Sequence, residues 1–339
     1  MESLARRRHT IRGRLPANVS RLWDSLKSCK MTSFMSSIQD QPHTSWQPSA
    51  MSLNCQICGQ ETLAIGEKIG RFRKQAFQLR RCPACQFTFV ANPWTEYAEI
   101  YSESYYCGDG ADPLVDYALD LSSPETTAHI YEWRGIMRAV GSLVKIDRGT
   151  NWLDFGCGAG GLVRYLRSEK ISAVGFEEGA IADRARAEGI PVMNSKALAG
   201  HAGQFDIVTA IEVIEHVRHP LEVLKQIRGL LKPGGLFFYT TGNAQPYRNR
   251  VLNWRYLVPE VHISFFEPET LALALQQTGF RPEWAGYLPG YTDILRYKIL
   301  KTLGVKHRST QEKMLPWPLL SRSAQLFFKV FAHPVGWAS

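Results

Sequence analysis

Asn151-Trp-Leu-Asp-Phe-Gly-Cys-Gly-Ala-Gly-Gly161 is the stretch whose reading decides the fold. Its first half is a short apolar strand, Trp152 to Phe155. Its second half is a glycine-rich turn, and Leu162–Ser168 then reads as a helix. Glycines at 156, 158 and 160 remove the Cβ atoms that would hold a ligand off the backbone. The first helical turn beyond them offers amide N–H groups with no partner inside the helix. A second strand, Ser172–Glu177, ends in an acid placed to accept two ribose hydroxyls.

That spacing also satisfies the dinucleotide pattern GxGxxG at Gly156, Gly158 and Gly161. Charge separates the two readings. A dinucleotide brings an anionic pyrophosphate to the turn, whereas S-adenosylmethionine brings a sulfonium and an ammonium. Asp154, two residues before the first glycine, suits the cation. Further along, Phe205–Glu212 reads as a buried strand ending in acid, and Leu230-Leu-Lys-Pro-Gly-Gly235 as a turn into another strand.

These four signals, in this order, resemble the class I S-adenosylmethionine-dependent methyltransferases over roughly residues 125–288. Leu153–Gly160 is similar to their first motif and Glu177 to their ribose-binding acid. The resemblance implies cofactor contacts from Asp154, Phe155, Gly156, Cys157, Gly158, Gly160, Glu177, Ile211 and Glu212. It also implies a doubly wound, Rossmann-like α/β sheet of seven strands. The strand–helix alternation supports a parallel sheet with ligands at the carboxyl ends of its strands. Thr126–Val144 reads as an amphipathic helix, followed by helices at Ala180–Glu188, Leu221–Leu231 and Pro268–Thr278. Strands are expected near Pro191–Asn194, at Gly235–Thr241 and at Arg281–Gly286.

Methyl transfer is a displacement at a cationic sulfur, so aligned and dry reactants account for most of it. A base is needed only for a hydroxyl or carbon-acid acceptor. Candidates lie past the fourth methyltransferase strand, in Glu212-Val-Ile-Glu215-His216-Val-Arg-His219-Pro220, and in Glu260-Val-His262. The stretch resembles two subsets of the superfamily, ubiquinone-pathway O-methyltransferases and small-RNA 2′-O-methyltransferases. Their pattern implies Mg²⁺ or Mn²⁺ at Glu212, Glu215, His216 and His262. Three roles stay open for Glu215, His216 and His262: metal ligation, a metal-free general base, or a structural pin for the loop. Asn249–Pro259, rich in aromatics and Arg, reads either as a substrate-facing loop or as an apolar clasp for Pro268–Thr278.

Seven cysteines occur, four of them as Cys55-x-x-Cys58 and Cys82-x-x-Cys85 with 23 residues between the pairs. Two CxxC knuckles at this spacing read as a zinc ribbon, with structural Zn²⁺ on all four thiolates and short strands at Ile65–Ile69 and Ala76–Arg80. A redox dithiol is the alternative. The module is too small to bury a core alone. The tyrosine-rich run Tyr97–Tyr106 resembles the lid of zinc-ribbon methyltransferases of sugar and polysaccharide pathways; packing between ribbon and core is the competing use.

The chain has 339 residues and a formal charge of +9. Residues 1–50 carry +5 and residues 289–339 carry +6, leaving −2 for the middle. A neutral middle disfavours a nucleic-acid groove, which needs clustered cations. Residues 1–50 read as a disordered basic extension, and 51–110 as ribbon plus lid. The methyltransferase domain is placed at 111–288 and a C-terminal helical extension at 289–339. Helices at Tyr291–Leu303 and Leu319–Phe331 would be that extension, docking on the domain, on a partner copy or peripherally on a membrane. Unpaired CxxC thiols point to a reducing compartment, the cytoplasm. The favoured acceptor is a small molecule, a nucleotide sugar or glycan intermediate, methylated on oxygen rather than carbon. A zinc-module ribosomal-RNA methyltransferase and a non-catalytic S-adenosylmethionine-binding scaffold are the alternatives.

Overall fold

The computed structural model describes residues 54–72, 74–95, 117–124, 127–286 and 335–338. The basic extension at 1–50, the tyrosine run at 97–106 and the helices expected at 291–303 and 319–331 lie outside the described residues.

Three strands come first, β1 (Leu63–Ile69), β2 (Ala76–Arg81) and β3 (Thr88–Val90). Helices α1 (Tyr117–Ser122) and α2 (His129–Leu143) precede the sheet. Ile130, Trp133, Ile136 and Val140 recur at helical spacing and form the buried stripe of α2. Strand–helix units follow: β4 (Asn151–Phe155), α3 (Gly161–Ser168), β5 (Ser172–Phe176), α4 (Ala180–Ala187), β6 (Val192–Met193) and α5 (Ser195–Leu198). Then come β7 (Phe205–Ile211), α6 (Pro220–Leu230) and β8 (Leu231–Thr240). The described elements end with β9 (Ser264–Phe265), α7 (Pro268–Gln277), β10 (Pro282–Gly286) and β11 (Val335–Ala338). Both α6 and α7 start on proline, whose fixed φ and missing N–H cost nothing at a first helical position.

The main sheet runs β6-β5-β4-β7-β8-β11-β10. Strands β4 to β8 pair in parallel, while β11 is antiparallel to both of its neighbours. From β4 the chain winds outward through β5 and β6, then returns to the other side of β4 as β7 and continues to β8. The order therefore reverses between β4 and β7, and the carboxyl ends there form the crevice where open α/β sheets bind ligands. Alternation along the strands feeds two cores. Leu153, Val208, Phe237 and Tyr239 pack on one face; Trp152, Ile207, Leu236 and Phe238 pack on the other with α2 and α3.

Two features depart from the expected organisation. The carboxyl-terminal stretch assigned to a helical extension contains β11, whose four residues pair with β8 on one side and β10 on the other. The reason is the ladder: with β11 in place, the N–H and C=O groups of both neighbours find partners. The segment Leu230–Gly235 is also no mere turn. Strand β8 begins at Leu231, paired with Phe205, and passes through Pro-Gly-Gly with a register shift opposite Phe205–Ile207.

A second sheet, β1-β2-β3-β9, takes its fourth strand from the far side of the chain. Cys55, Ile57, Cys82, Phe87 and Phe89 belong to the same core as Phe266, Leu271 and Leu275 of the α/β layer. Rings Phe87 and Phe266 lie 5.1 Å apart. Phe87 is fully buried, worth about 1.5–3 kcal/mol for such a side chain. The ribbon thus obtains from the α/β layer the apolar cover it is too small to make alone.

Candidate active site

The turn after β4 is set by backbone torsions. Gly156 has φ +76°, and a Cβ there would lie 2.6 Å from Val213 Cγ2, so both torsion and space exclude a side chain. The N–H groups of Gly156 and Cys157 donate to Phe176 O at 2.9 and 3.0 Å, tying the turn to the end of β5. Glu177 is oriented by two amides: Gly158 N–H donates to Oε2 at 2.9 Å and Glu178 N–H to Oε1 at 3.0 Å. Its burial pushes the carboxyl above the ordinary range, against those two hydrogen bonds.

Asp154 is buried at 4 % exposure. Thr209 donates its hydroxyl to Asp154 Oδ1 at 2.8 Å, and the Trp152 indole N–H donates to Thr209 Oγ1 at 3.1 Å. This polar chain joins β4 to β7 beneath the crevice. Burial pushes the Asp154 carboxyl up to about 7, opposed by the Thr209 bond. Phe155 is buried against Phe176, centroids 4.7 Å apart, and Ile211 is half-buried at the end of β7. Burial pushes the Cys157 thiol well up, which makes it a packed thiol rather than a nucleophile.

Beyond β7, Glu212 adopts φ +53°, a left-handed conformation uncommon for a non-glycine residue. Its N–H is held by Thr240, donating to the carbonyl and to Oγ1 at 3.1 Å each. Strain of this kind, fixed by its surroundings, is a mark of functional sites. A single 3₁₀ turn, Ile214–His216, then presents Glu215 and His216 inward. Glu215 is fully buried, and Oε2 accepts the Thr241 hydroxyl at 2.8 Å. Burial, with Glu212 beside it, pushes the Glu215 carboxyl well above its ordinary value.

The two imidazoles share one arrangement. His216 Nδ1 lies 3.0 Å from Val261 O, and His262 Nδ1 lies 2.6 Å from Tyr256 O. A carbonyl only accepts, so Nδ1 carries a proton in each ring. The rings meet edge-on, centroids 4.8 Å apart. Burial, reinforced by His262, pulls His216 down to about 3, so it is neutral at physiological pH.

One ligand atom from each of Glu215, His216 and His262 lies within 4.8 Å of the other two. A carboxylate oxygen with two imidazole nitrogens is a donor set of the kind that ligates divalent ions. Ligating imidazoles commonly donate their other ring N–H to a carbonyl, as Nδ1 does in both rings here. Glu212, expected in the same set, stands outside this trio. It is joined to it by Tyr256, whose hydroxyl lies 2.7 Å from Glu212 Oε2 and 2.5 Å from Glu215 Oε1.

Tyr256 and Thr241 are the site residues that sequence reasoning passed over. Tyr256 sits in the aromatic loop assigned to a substrate face or to a clasp for α7. The loop packs on β2 and β3 of the CxxC module rather than on α7, with Trp254, Val251 and Leu257 against Phe77, Leu79 and Val90, while its Tyr256 reaches the site. The ribbon holds it by polar contacts too. Lys68 Nζ donates to Leu252 O at 2.9 Å and to Trp254 O at 3.1 Å, and Phe72 N–H donates to Glu260 Oε1 at 2.9 Å. Val90 N–H donates to Ile263 O at 2.9 Å, and Ile263 N–H donates to Glu215 O at 2.8 Å. The ribbon is thus two hydrogen bonds from the candidate site.

The four ribbon thiols converge. Cys55 and Cys85 sulfurs are 3.5 Å apart, Cys58 and Cys82 sulfurs 3.4 Å, and all four lie within 4.8 Å of one another. Zn–S bonds of about 2.3 Å in a tetrahedron separate sulfurs by about 3.8 Å, so the donor set fits Zn²⁺. The two knuckles are built alike. Gly59 N–H donates to Cys55 O and Gln86 N–H to Cys82 O, each at 2.9 Å, and both residues are left-handed.

Residues 128–283 match a methyltransferase domain family. The ubiquinone biosynthesis O-methyltransferase of Bordetella avium is 32% identical over 174 residues, covering 44% of this chain and 68% of that protein. Its counterpart from Ruegeria pomeroyi is 35% identical over 151 residues, covering 40% of this chain and 61% of the relative. The chain spans about three fifths of such relatives' length. Among solved structures, Haemonchus contortus phosphoethanolamine N-methyltransferase 2 with S-adenosyl-L-methionine overlays with a TM-score of 0.44 at 17% identity, covering 74% of this chain and 60% of that one. A doubly wound sheet with a glycine turn and a carboxylate-capped second strand defines a class I methyltransferase architecture. The chain belongs to the methyltransferase family.

Proposed function

We propose that the protein is an S-adenosylmethionine-dependent O-methyltransferase whose small-molecule acceptor presents two adjacent oxygens. The observation that carries this reading is the convergence of Glu215, His216 and His262 just beyond β7, with Glu215 two residues after Val213, whose side chain lies against the Gly156 turn. In this reading Glu177 takes the ribose hydroxyls and the 156–160 turn carries the methionine part of the donor. Mg²⁺ or Mn²⁺ held by Glu215, His216 and His262, with Glu212 joined to them through Tyr256, would supply a Lewis acid that lowers the acceptor hydroxyl's pKa. The chain's own part is to keep His216 neutral, hold both rings by their Nδ1–H bonds and exclude water. The methyl group leaves sulfur for the acceptor oxygen, and the hydroxyl proton departs to base or solvent. The ribbon thiols hold a structural Zn²⁺.

The relatives' role in ubiquinone biosynthesis favours a hydroxylated aromatic ring as acceptor. A vicinal diol of a nucleotide sugar or glycan is the second reading, supported by the ribbon fused to the acceptor loop. The test is transfer of labelled methyl from S-adenosylmethionine into catechols and nucleotide sugars, with and without EDTA. Transfer into catechols that EDTA abolishes is the expected outcome. EDTA-insensitive turnover would leave His216 or His262 as a metal-free base. No donor binding by calorimetry would sink the proposal in favour of a different ligand for the turn.

A further inference from the structure

Resting on the acceptor-site reading above, we infer that Tyr256 is the positioning residue that assembles the site, fixing both carboxylates through its hydroxyl and His262 through its carbonyl and ring. Three of the four candidate ligands meet this one side chain or its backbone. The hydroxyl bridges Glu212 Oε2 at 2.7 Å and Glu215 Oε1 at 2.5 Å, and its oxygen accepts Gly242 N–H at 3.2 Å. The ring stacks on His262 with centroids 4.2 Å apart and planes 29° from parallel, while Tyr256 O takes the His262 Nδ1–H. Trp254 also stacks on the Tyr256 ring, with centroids 4.9 Å apart. A Cβ on Gly242 would collide with the Tyr256 ring, so glycine is the residue that lets the phenol reach the carboxylates.

Glu215 is buried and Glu212 half-buried, and without the phenol between them the two carboxyls repel when ionised. The phenol donates its single proton to one, and its oxygen accepts from the other when that one is protonated. A phenol stacked on by His262 and Trp254 and hydrogen-bonded by Gly242 N–H fixes the separation of the carboxyls before any cation arrives. Outer partners of this kind typically govern metal affinity by about 10–100-fold.

The test uses the full chain and Mn²⁺ alone as probe, read by calorimetry, with S-adenosylmethionine binding measured alongside. Tyr256→Phe keeps the ring and removes only the hydroxyl. It should weaken Mn²⁺ binding at least about ten-fold and leave donor affinity within two-fold of wild type. Gly242→Ala, which displaces the ring but keeps the phenol, should weaken Mn²⁺ in the same way and serves if the first variant does not fold. Tyr247→Phe, whose ring stacks on Trp254 at 5.0 Å, is the control and should bind as wild type. Unchanged or tighter Mn²⁺ binding in both variants would overturn the inference while leaving the cation reading intact. A wild type that takes up no Mn²⁺ would overturn both.

Discussion

Gly156 and Asp154 face opposite demands. Gly156→Ala would put a methyl group 2.6 Å from Val213 Cγ2 at a φ of +76°. The left-handed torsion alone costs about 1–2 kcal/mol for a residue with a Cβ, and the displaced Val213 lies between Glu212 and Ile214. That variant should melt several degrees lower and lose donor affinity, as calorimetry can show. Asp154 makes a prediction about pH. Its carboxyl is raised to about 7 in the fold, so the native state holds a proton that the unfolded chain releases near pH 4. Stability attached to that proton is complete below about pH 4, declines as pH rises toward 7 and is constant above. Asp154→Asn should flatten that slope in urea titrations followed from pH 4 to 8. Both residues were legible in sequence as members of the turn. What was not legible is how Asp154 is used: Thr209, which holds it, lies on a neighbouring strand 55 positions away. Glu212 gave no sign of its left-handed backbone, because nothing in a glutamate's chemistry favours it.

At the scale of elements, the alternation of strands and helices from 151 to 286 was readable because each unit buries a periodic apolar face. Strands β1 and β2 were readable between the two CxxC pairs. Strand β9 was not, since two residues make no periodicity and exist as a strand only against Thr88 and Phe89. Strand β11 was hidden for a similar reason: its pairing is with edges that form elsewhere. The β3–β9 ladder leads to a further prediction. Cys82→Ser should lower zinc content and raise amide exchange at Val261, Ile263 and Phe265, which the ribbon restrains, more than at Leu153 or Val208 in the sheet centre. Donor binding should survive with little change, because the turn at 156–160 is held by β5 rather than by the ribbon. Equal exchange increases in both regions would show the ribbon to be supporting the whole fold instead.

For the molecule as a whole, β11 is the element on which the sheet's far side depends. Deleting residues 335–339 would leave β8 and β10 with unpaired ladder groups, an exposed edge that invites association. A shift to larger species than wild type in sedimentation, at unchanged secondary structure elsewhere, is the expected result. Charge acts at this scale too. With +5 on 1–50 and +6 on 289–339, the middle at −2 keeps little long-range pull on polyanions. Among the described residues no helix is long and apolar enough to cross a membrane.

The shared strand pairing between Thr88–Phe89 and Ser264–Phe265 bears on how such proteins can be recombined. A chimera joined at the linker after the ribbon would inherit the thiol knuckles from one parent and residues 248–267 from the other, mismatching a seam that neither half can close alone. Transplanting the ribbon productively means carrying that loop along as a second, non-contiguous graft.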